Sequence, residues 1–125
     1  MSVFNPLFAA IPNGRVMSGS FETDGDDTDP INLAGYGFTV AAIASTTGQY
    51  RVTFTNQQFS EYIYADACIS PQATSETQRA IIIAEDPANG TIDIETQSAA
   101  GTEANLDGPR VRFFVIGRQG GPERG

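Results

Sequence analysis

From residue 38 to residue 55 the side chains alternate in character with a period of two, and one short glycine-containing break divides the run. Phe38, Val40 and Ala42 alternate with Thr39, Ala41 and Ile43. After Ser45-Thr46-Thr47-Gly48 the chain resumes with Tyr50, Val52 and Phe54 against Arg51, Thr53 and Thr55. A period of two is the geometry of a β-strand, whose successive side chains point to opposite faces. Two such runs joined by a short loop with Gly predict an antiparallel hairpin. Its register is fixed by the face to be buried, which puts Phe38, Val40, Tyr50, Val52 and Phe54 toward a core.

The same pattern recurs along the chain. Residues 15–22 read as a strand, and 23–36 as an acidic loop rich in Asp, Gly and Pro, too polar and irregular for an element. Over 63–70, Ile63, Ala65, Ala67 and Ile69 alternate with Tyr64, Asp66, Cys68 and Ser70, and Pro71 ends the strand. A second hairpin pairs 79–85, with Ile81, Ile82 and Ile83, to 91–96, with Ile92 and Ile94 on one face. Its turn is Asp86-Pro87-Ala88-Asn89-Gly90, where Asn-Gly accepts positive φ. A loop of small and polar residues covers 97–108. The last strand, 110–118, sends Val111, Phe113 and Val115 to the core and Phe114 and Ile116 the other way. Apolar residues on both faces predict cover on both sides. The expected fold is all-β: one domain, a β-sandwich or β-barrel of six or seven antiparallel strands. It divides into an N-terminal arm (1–14), the β domain (15–118) and a loose Gly-rich tail (119–125).

The arm carries Val3, Phe4, Leu7, Phe8 and Ile11 and ends at Pro12-Asn13-Gly14. A short helix with Pro6 in its first turn and an extended arm both accommodate this spacing. Either way, five large apolar residues need cover, from the domain itself or from a neighbouring subunit. The segment has no basic start and is broken by Asn5-Pro6, so it is not expected to be a secretory signal, and the mature chain is expected to begin near residue 1.

Composition removes several kinds of function. The 125 residues include no His and no Lys; the seven cations are all Arg, set against fifteen acids for a net charge of −8. Nucleic acids and anionic membranes are bound through clustered cations, so neither is an expected partner. No apolar run is long enough to span a membrane. Without His there is no Ser-His-Asp or Cys-His set, and no phosphate-binding Gly-Lys-Ser/Thr motif occurs. Asp66, Asp93 and Glu95 fall on strands, where carboxylates ordinarily protect edges, and the chain has no Trp to line a sugar cleft. No enzyme activity and no cofactor are expected. The loop Asp24-Gly25-Asp26-Asp27-Thr28-Asp29 alternates oxygen ligands but departs from the calcium-loop pattern at its sixth and twelfth positions, so a solvated acidic turn is the plainer reading. Asn89-Gly90-Thr91 has the form of a glycosylation sequon, which the turn explains better. Cys68, the lone cysteine, is expected to be a small buried hydrophobe.

Three stretches carry a resemblance. GFTVAAIASTTGQYRVTFTN (37–56), IYADACIS (63–70) and VRFFVIGR (111–118) resemble small virion proteins of tailed bacteriophages, in which a GFTV…TGxYxVTF hairpin precedes a strand of small apolar residues and a terminal strand ending in Arg. The resemblance covers about half the chain and implies a head decoration, or cement, protein. Such a protein sits on the outer surface of the capsid as a homotrimer and bridges major capsid protein subunits. The candidate interface residues, read from the chain itself, are Val3, Phe4, Leu7, Phe8, Ile11, Arg110, Arg112, Phe114, Ile116 and Arg118. For the three arginines, cross-strand pairing is the competing role. The alternative reading is a tail-associated or carbohydrate-binding β-sandwich module, with Tyr62 and Tyr64 as its nearest pair of stacking rings.

Overall fold

In the computed structural model the described residues are 14–24, 29–44, 46–55, 59–70, 78–98 and 107–119. They form eight strands in two antiparallel four-stranded sheets, packed as a sandwich and not closed into a barrel. The strands are β1 (Gly14–Asp24), β2 (Ile31–Gly35), β3 (Phe38–Ala42), β4 (Gln49–Phe54), β5 (Phe59–Ile69), β6 (Arg79–Asp86), β7 (Thr91–Gln97) and β8 (Asp107–Gln119). Sheet A has the order β2-β1-β8-β5, and sheet B the order β3-β4-β7-β6.

Both expected hairpins form. In β3–β4, Phe38 lies opposite Phe54 and Val40 opposite Val52. Gly48, at φ 66°, turns the chain, and its carbonyl accepts from both the N–H and the hydroxyl of Thr96. In β6–β7 the connection is a 3-10 turn, Pro87–Asn89, closed by Gly90 at φ 69°. The Asp86 carboxylate accepts from the Asn89 side-chain amide at 2.8 Å and braces the turn.

The core lies between the sheets. Tyr50, Val52 and Phe54 from β4 and Ile92 and Ile94 from β7 face Phe21, Ala67, Ile69, Val111, Phe113 and Val115 from sheet A. Phe113 is the hub. Its ring centroid lies 5.0 Å from Phe38, edge-on, 6.4 Å from Phe21 and 6.2 Å from Phe54. Each such ring contributes about 1.5–3 kcal/mol by leaving water, and ring pairs add a little more. Gly19 sits under Phe38; a Cβ there would collide with the ring, so the missing side chain lets the two sheets meet at this point.

Several expectations need correction. Eight strands form, not six or seven, because the 23–36 segment contains β2. All five residues of β2 are exposed, so it has no burial pattern to read. Main-chain pairing to β1 holds it, with a bulge at Asn32, whose φ is 52°. Asn tolerates that left-handed conformation better than most residues. Cys68 is exposed, not buried. Strand parity decides this: Ala67 and Ile69 fill the core, so Cys68 must point out. Ile63 does not continue the inward set. It is the extra residue of a bulge between Tyr62 and Tyr64, and it is exposed. Asp93 does point away from the core yet is buried, because Arg51 lies across it. Of the three adjacent isoleucines, Ile82 packs on the core while Ile81 and Ile83 are exposed.

Candidate protein interface

The outer faces of the two sheets differ. On sheet B the outward residues of β3, β4 and β7 are Thr39, Ala41, Arg51, Thr53, Asp93 and Glu95, mostly polar, and the exposed isoleucines Ile81 and Ile83 lie on β6 at its edge. Arg51 clamps Asp93 with Nε–Oδ1 at 2.8 Å and Nη2–Oδ2 at 3.0 Å. The paired carboxylate raises the Arg51 pKa, through the hydrogen bond first and its charge second. A hollow of about 380 Å³ beside this pair is lined by Glu85, Asp86 and Asn89 as well. Of its carboxylates, Asp93 is engaged by Arg51 and Asp86 by Asn89. Among the described residues no cluster of side chains is arranged to hold a metal ion.

The outer face of sheet A is built in rows, because the pairings of β8 with β1 and with β5 bring outward residues side by side. Gly14, Arg118 and Glu61 form the first row; Val16, Ile116 and Tyr64 the second; Ser18, Phe114 and Asp66 the third; Ser20, Arg112 and Cys68 the fourth; and Glu22 with Arg110 the fifth. The second row is wholly apolar. The Tyr64 ring lies 5.6 Å from that of Phe114, which extends the apolar surface into the third row. Charged rows close both ends. An apolar centre with a charged, polar rim is the anatomy of a protein interface.

The rim is organised by hydrogen bonds. Arg110 donates to the Ser20 hydroxyl at 2.7 Å and to the Glu22 carboxylate at 2.8 Å. Arg118 approaches Glu61 at 3.5 Å. Arg112 donates its Nε to the Ser70 carbonyl at 2.8 Å. Asp66 accepts from the N–H of Ala67 at 2.9 Å, and the Tyr64 hydroxyl donates to it more weakly at 3.5 Å. The short side chains on either side of Phe114 and Arg112 leave a hollow of about 470 Å³, lined also by Ser18, Ser20, Asp66 and Cys68.

Arg110, Arg112, Phe114, Ile116 and Arg118 therefore share one face. Phe114 and Ile116 are half-buried at its centre, while the three arginines are engaged within the chain at its rim. The arm residues Val3, Phe4, Leu7, Phe8 and Ile11 lie outside the described residues, as does most of the 24–29 acidic loop. Of that loop, Asp29 accepts the Ala42 N–H at 2.9 Å. Sequence reasoning missed Val16 and Ser18 and did not join Tyr64 to Ile116. Parity was readable in each strand, but which strands are neighbours was not.

Tyr62 and Tyr64 do not form a ring platform. Tyr62 turns inward, 5.1 Å from Phe59, and its hydroxyl donates to the Thr91 carbonyl of sheet B at 3.1 Å. Its pKa is pushed up to about 12 by burial, reinforced by the charges of Asp86 and Glu85.

No protein family, curated protein or solved structure matches this chain.

Proposed function

We propose that this protein is a structural, non-enzymatic decoration protein of a bacteriophage head. In this reading it works as a homotrimer on the outer surface of the capsid and bridges major capsid protein subunits. The observation that carries the interaction part of the reading is the row Val16–Ile116–Tyr64, apolar and flanked by charged rows, on the outer face of sheet A. The resemblance of residues 37–56, 63–70 and 111–118 to small virion proteins supplies the viral part.

The mechanism is mechanical. Contacts made only in the assembled shell stabilise that shell by mass action, with no chemical step. An acidic domain with a net charge of −8 suits addition from solution, since excess charge of one sign opposes premature association. The carbohydrate-binding alternative draws less support, because Tyr62 and Tyr64 point to opposite faces and offer no two-ring surface for a sugar.

Quantitative mass spectrometry of purified virions tests the reading. A decoration protein is present in copy number comparable to the major capsid protein. Recovery only from infected cells, or a few copies per particle, overturns it.

A further inference from the structure

Among the described residues each sheet has two edges that no further strand pairs: β2 and β5 bound sheet A, and β3 and β6 bound sheet B. Three of these edges are blunted. Asp29 occupies the free side of β3 by accepting the Ala42 N–H at 2.9 Å. β2 is only five residues long and bulges at Asn32. β5 carries Glu61 and Asp66 and has two register shifts. β6 differs. It pairs with β7 on one side, and six of its eight residues are exposed. Its middle, Ala80-Ile81-Ile82-Ile83-Ala84, holds no charge and no Pro. Ile81 is 36% and Ile83 40% exposed, with a single bulge at Ile83. An apolar edge with unpaired N–H and C=O groups is a template for another strand, and proteins keep such edges covered.

Residues 7–11, Leu-Phe-Ala-Ala-Ile, match that edge. They are uncharged, and Pro6 and Pro12 bracket them, which leaves a run of five to set against the five of β6. In an extended run Leu7 and Ile11 share one face and Phe8 takes the other, so both faces are apolar. Position decides whose edge the run meets. Gly14 lies opposite Arg118, and Arg118 opposite Glu61, so β5 is two strand spacings from the root of the arm. β6 packs against β5 from the other sheet. Two strand spacings and one sheet spacing put β6 about 14 Å from Gly14, with its free edge farther still. Ile11 reaches at most about 11 Å from Gly14. Residues 7–11 therefore cannot lie along the β6 edge of their own chain.

We infer that residues 7–11 of one copy lie along the free edge of β6 in a neighbouring copy as an added strand. Main-chain pairing supplies the contact, and Ile81 and Ile83 pack on the arm's apolar side chains. The arm of one copy and the edge of the next are different surfaces, so the contact is heterologous and closes into a ring. A closed ring leaves no arm and no edge unused; that its members number three rests on the homotrimer proposed above. The row Val16–Ile116–Tyr64 stays free for the shell.

Sedimentation equilibrium of the purified full chain, without capsids, tests this. The wild type is expected as a trimer of 13.3 kDa protomers. Ala9→Pro removes a main-chain donor from the arm, and Ile83→Lys puts a charge on the edge. Each is expected to weaken association by about tenfold or more, as central interface residues do. Far-UV circular dichroism should stay unchanged, and Ile81→Lys serves in place of Ile83→Lys if that variant misfolds. Mixing the two variants is the discriminating step. The intact arm of the Ile83→Lys chain meets the intact edge of the Ala9→Pro chain, and the pair then has no sound arm or edge left. The mixture is expected to contain a species of two protomers and nothing larger. Ala41→Glu, on the other edge strand of sheet B, should leave the wild-type mass unchanged. A wild-type protomer at about 100 μM, where even weak self-contact registers, overturns the inference. So does an oligomer that survives both Ala9→Pro and Ile83→Lys, or a mixture that stays as protomers. Failure here leaves the virion inventory unaffected, so the two readings fall separately.

Discussion

Tyr62 and Tyr64, two residues apart on β5, point to opposite faces of sheet A. On a regular strand they would share a face. The bulge at Ile63 inserts one residue and reverses the parity. Tyr62 thereby reaches the Thr91 carbonyl in the other sheet, while Tyr64 joins Ile116 and Val16 on the outside.

The inward tyrosine makes stability sensitive to alkali. Its pKa rises from 10.0 to about 12 on folding, so the folded protein holds a proton that the unfolded chain releases. The stability linked to this group is intact below pH 10 and is lost as pH rises toward about 12. Tyr62→Phe removes the hydroxyl. Urea unfolding should show about 1 kcal/mol lost at neutral pH and a shallower decline in stability between pH 10 and 12 than in the wild type.

The pair Arg51–Asp93 predicts an asymmetry. The Asp93 side chain is 11% exposed and that of Arg51 is 54% exposed. Arg51→Ala leaves a mostly buried carboxylate without its clamp, and is expected to cost about 1–2 kcal/mol. Asp93→Ala lets the half-exposed guanidinium return to water, and should cost less because exposed ion pairs contribute little. Chemical denaturation of both variants measures the difference. Equal losses would mean that burial of Asp93 is not what matters.

Phe113 packs against three other rings, Phe38 and Phe54 across the sandwich and Phe21 on the neighbouring strand of its own sheet. Phe113→Ala should therefore be among the most damaging single changes, at about 3–5 kcal/mol. Phe114→Ala, one residue along and facing outward, should lower stability far less while weakening attachment to capsids. Denaturant midpoints and a capsid-binding assay separate the two effects.

Gly117 is inward-facing on β8, and the Phe59 ring packs over it. A Cβ there would lie 2.7 Å from the ring and 3.1 Å from the Glu61 carbonyl oxygen. The ring can swing, but the backbone of the adjacent strand cannot. Gly117→Ala is expected to destabilise by about 1–3 kcal/mol, as overpacking does. A thermal melt unchanged from wild type would show that the β5–β8 edge yields more readily than its pairing suggests.

Residues 1–13 end where pairing begins, since Gly14 already lies opposite Arg118. Their removal should leave the β domain folded by circular dichroism and weaken attachment to capsids. Unimpaired decoration would remove the arm from the account.

The hairpins 38–54 and 79–97 and the last strand were legible in the sequence because each has one buried face, and burial imposes period two. The β2 strand was not, because main-chain pairing alone holds it and its side chains are all exposed. The bulge at Ile63 was hidden for a related reason: Ile63 fits an inward alternation by residue type, and only the pairing of Tyr62 with Gly117 and Tyr64 with Ile116 reveals the extra residue. The candidate face was half legible. Phe114 and Ile116 were marked by apolar residues on both sides of one strand. Val16 and Tyr64 joined them only once β1 and β5 proved to be the neighbours of β8.

Cys68 is a native reporter of that face. It is the only cysteine in the chain, it is exposed in the protomer, and it lies beside Arg112 in the fourth row. The most direct measurement is the rate at which its thiol reacts with an aromatic disulfide reagent, compared between the free protein and the protein bound to capsids. Slow reaction on capsids and rapid reaction of the free protein are the predicted results. A capsid-bound Cys68 that reacts as fast as that of the free protein would contradict burial of this face in the assembled shell.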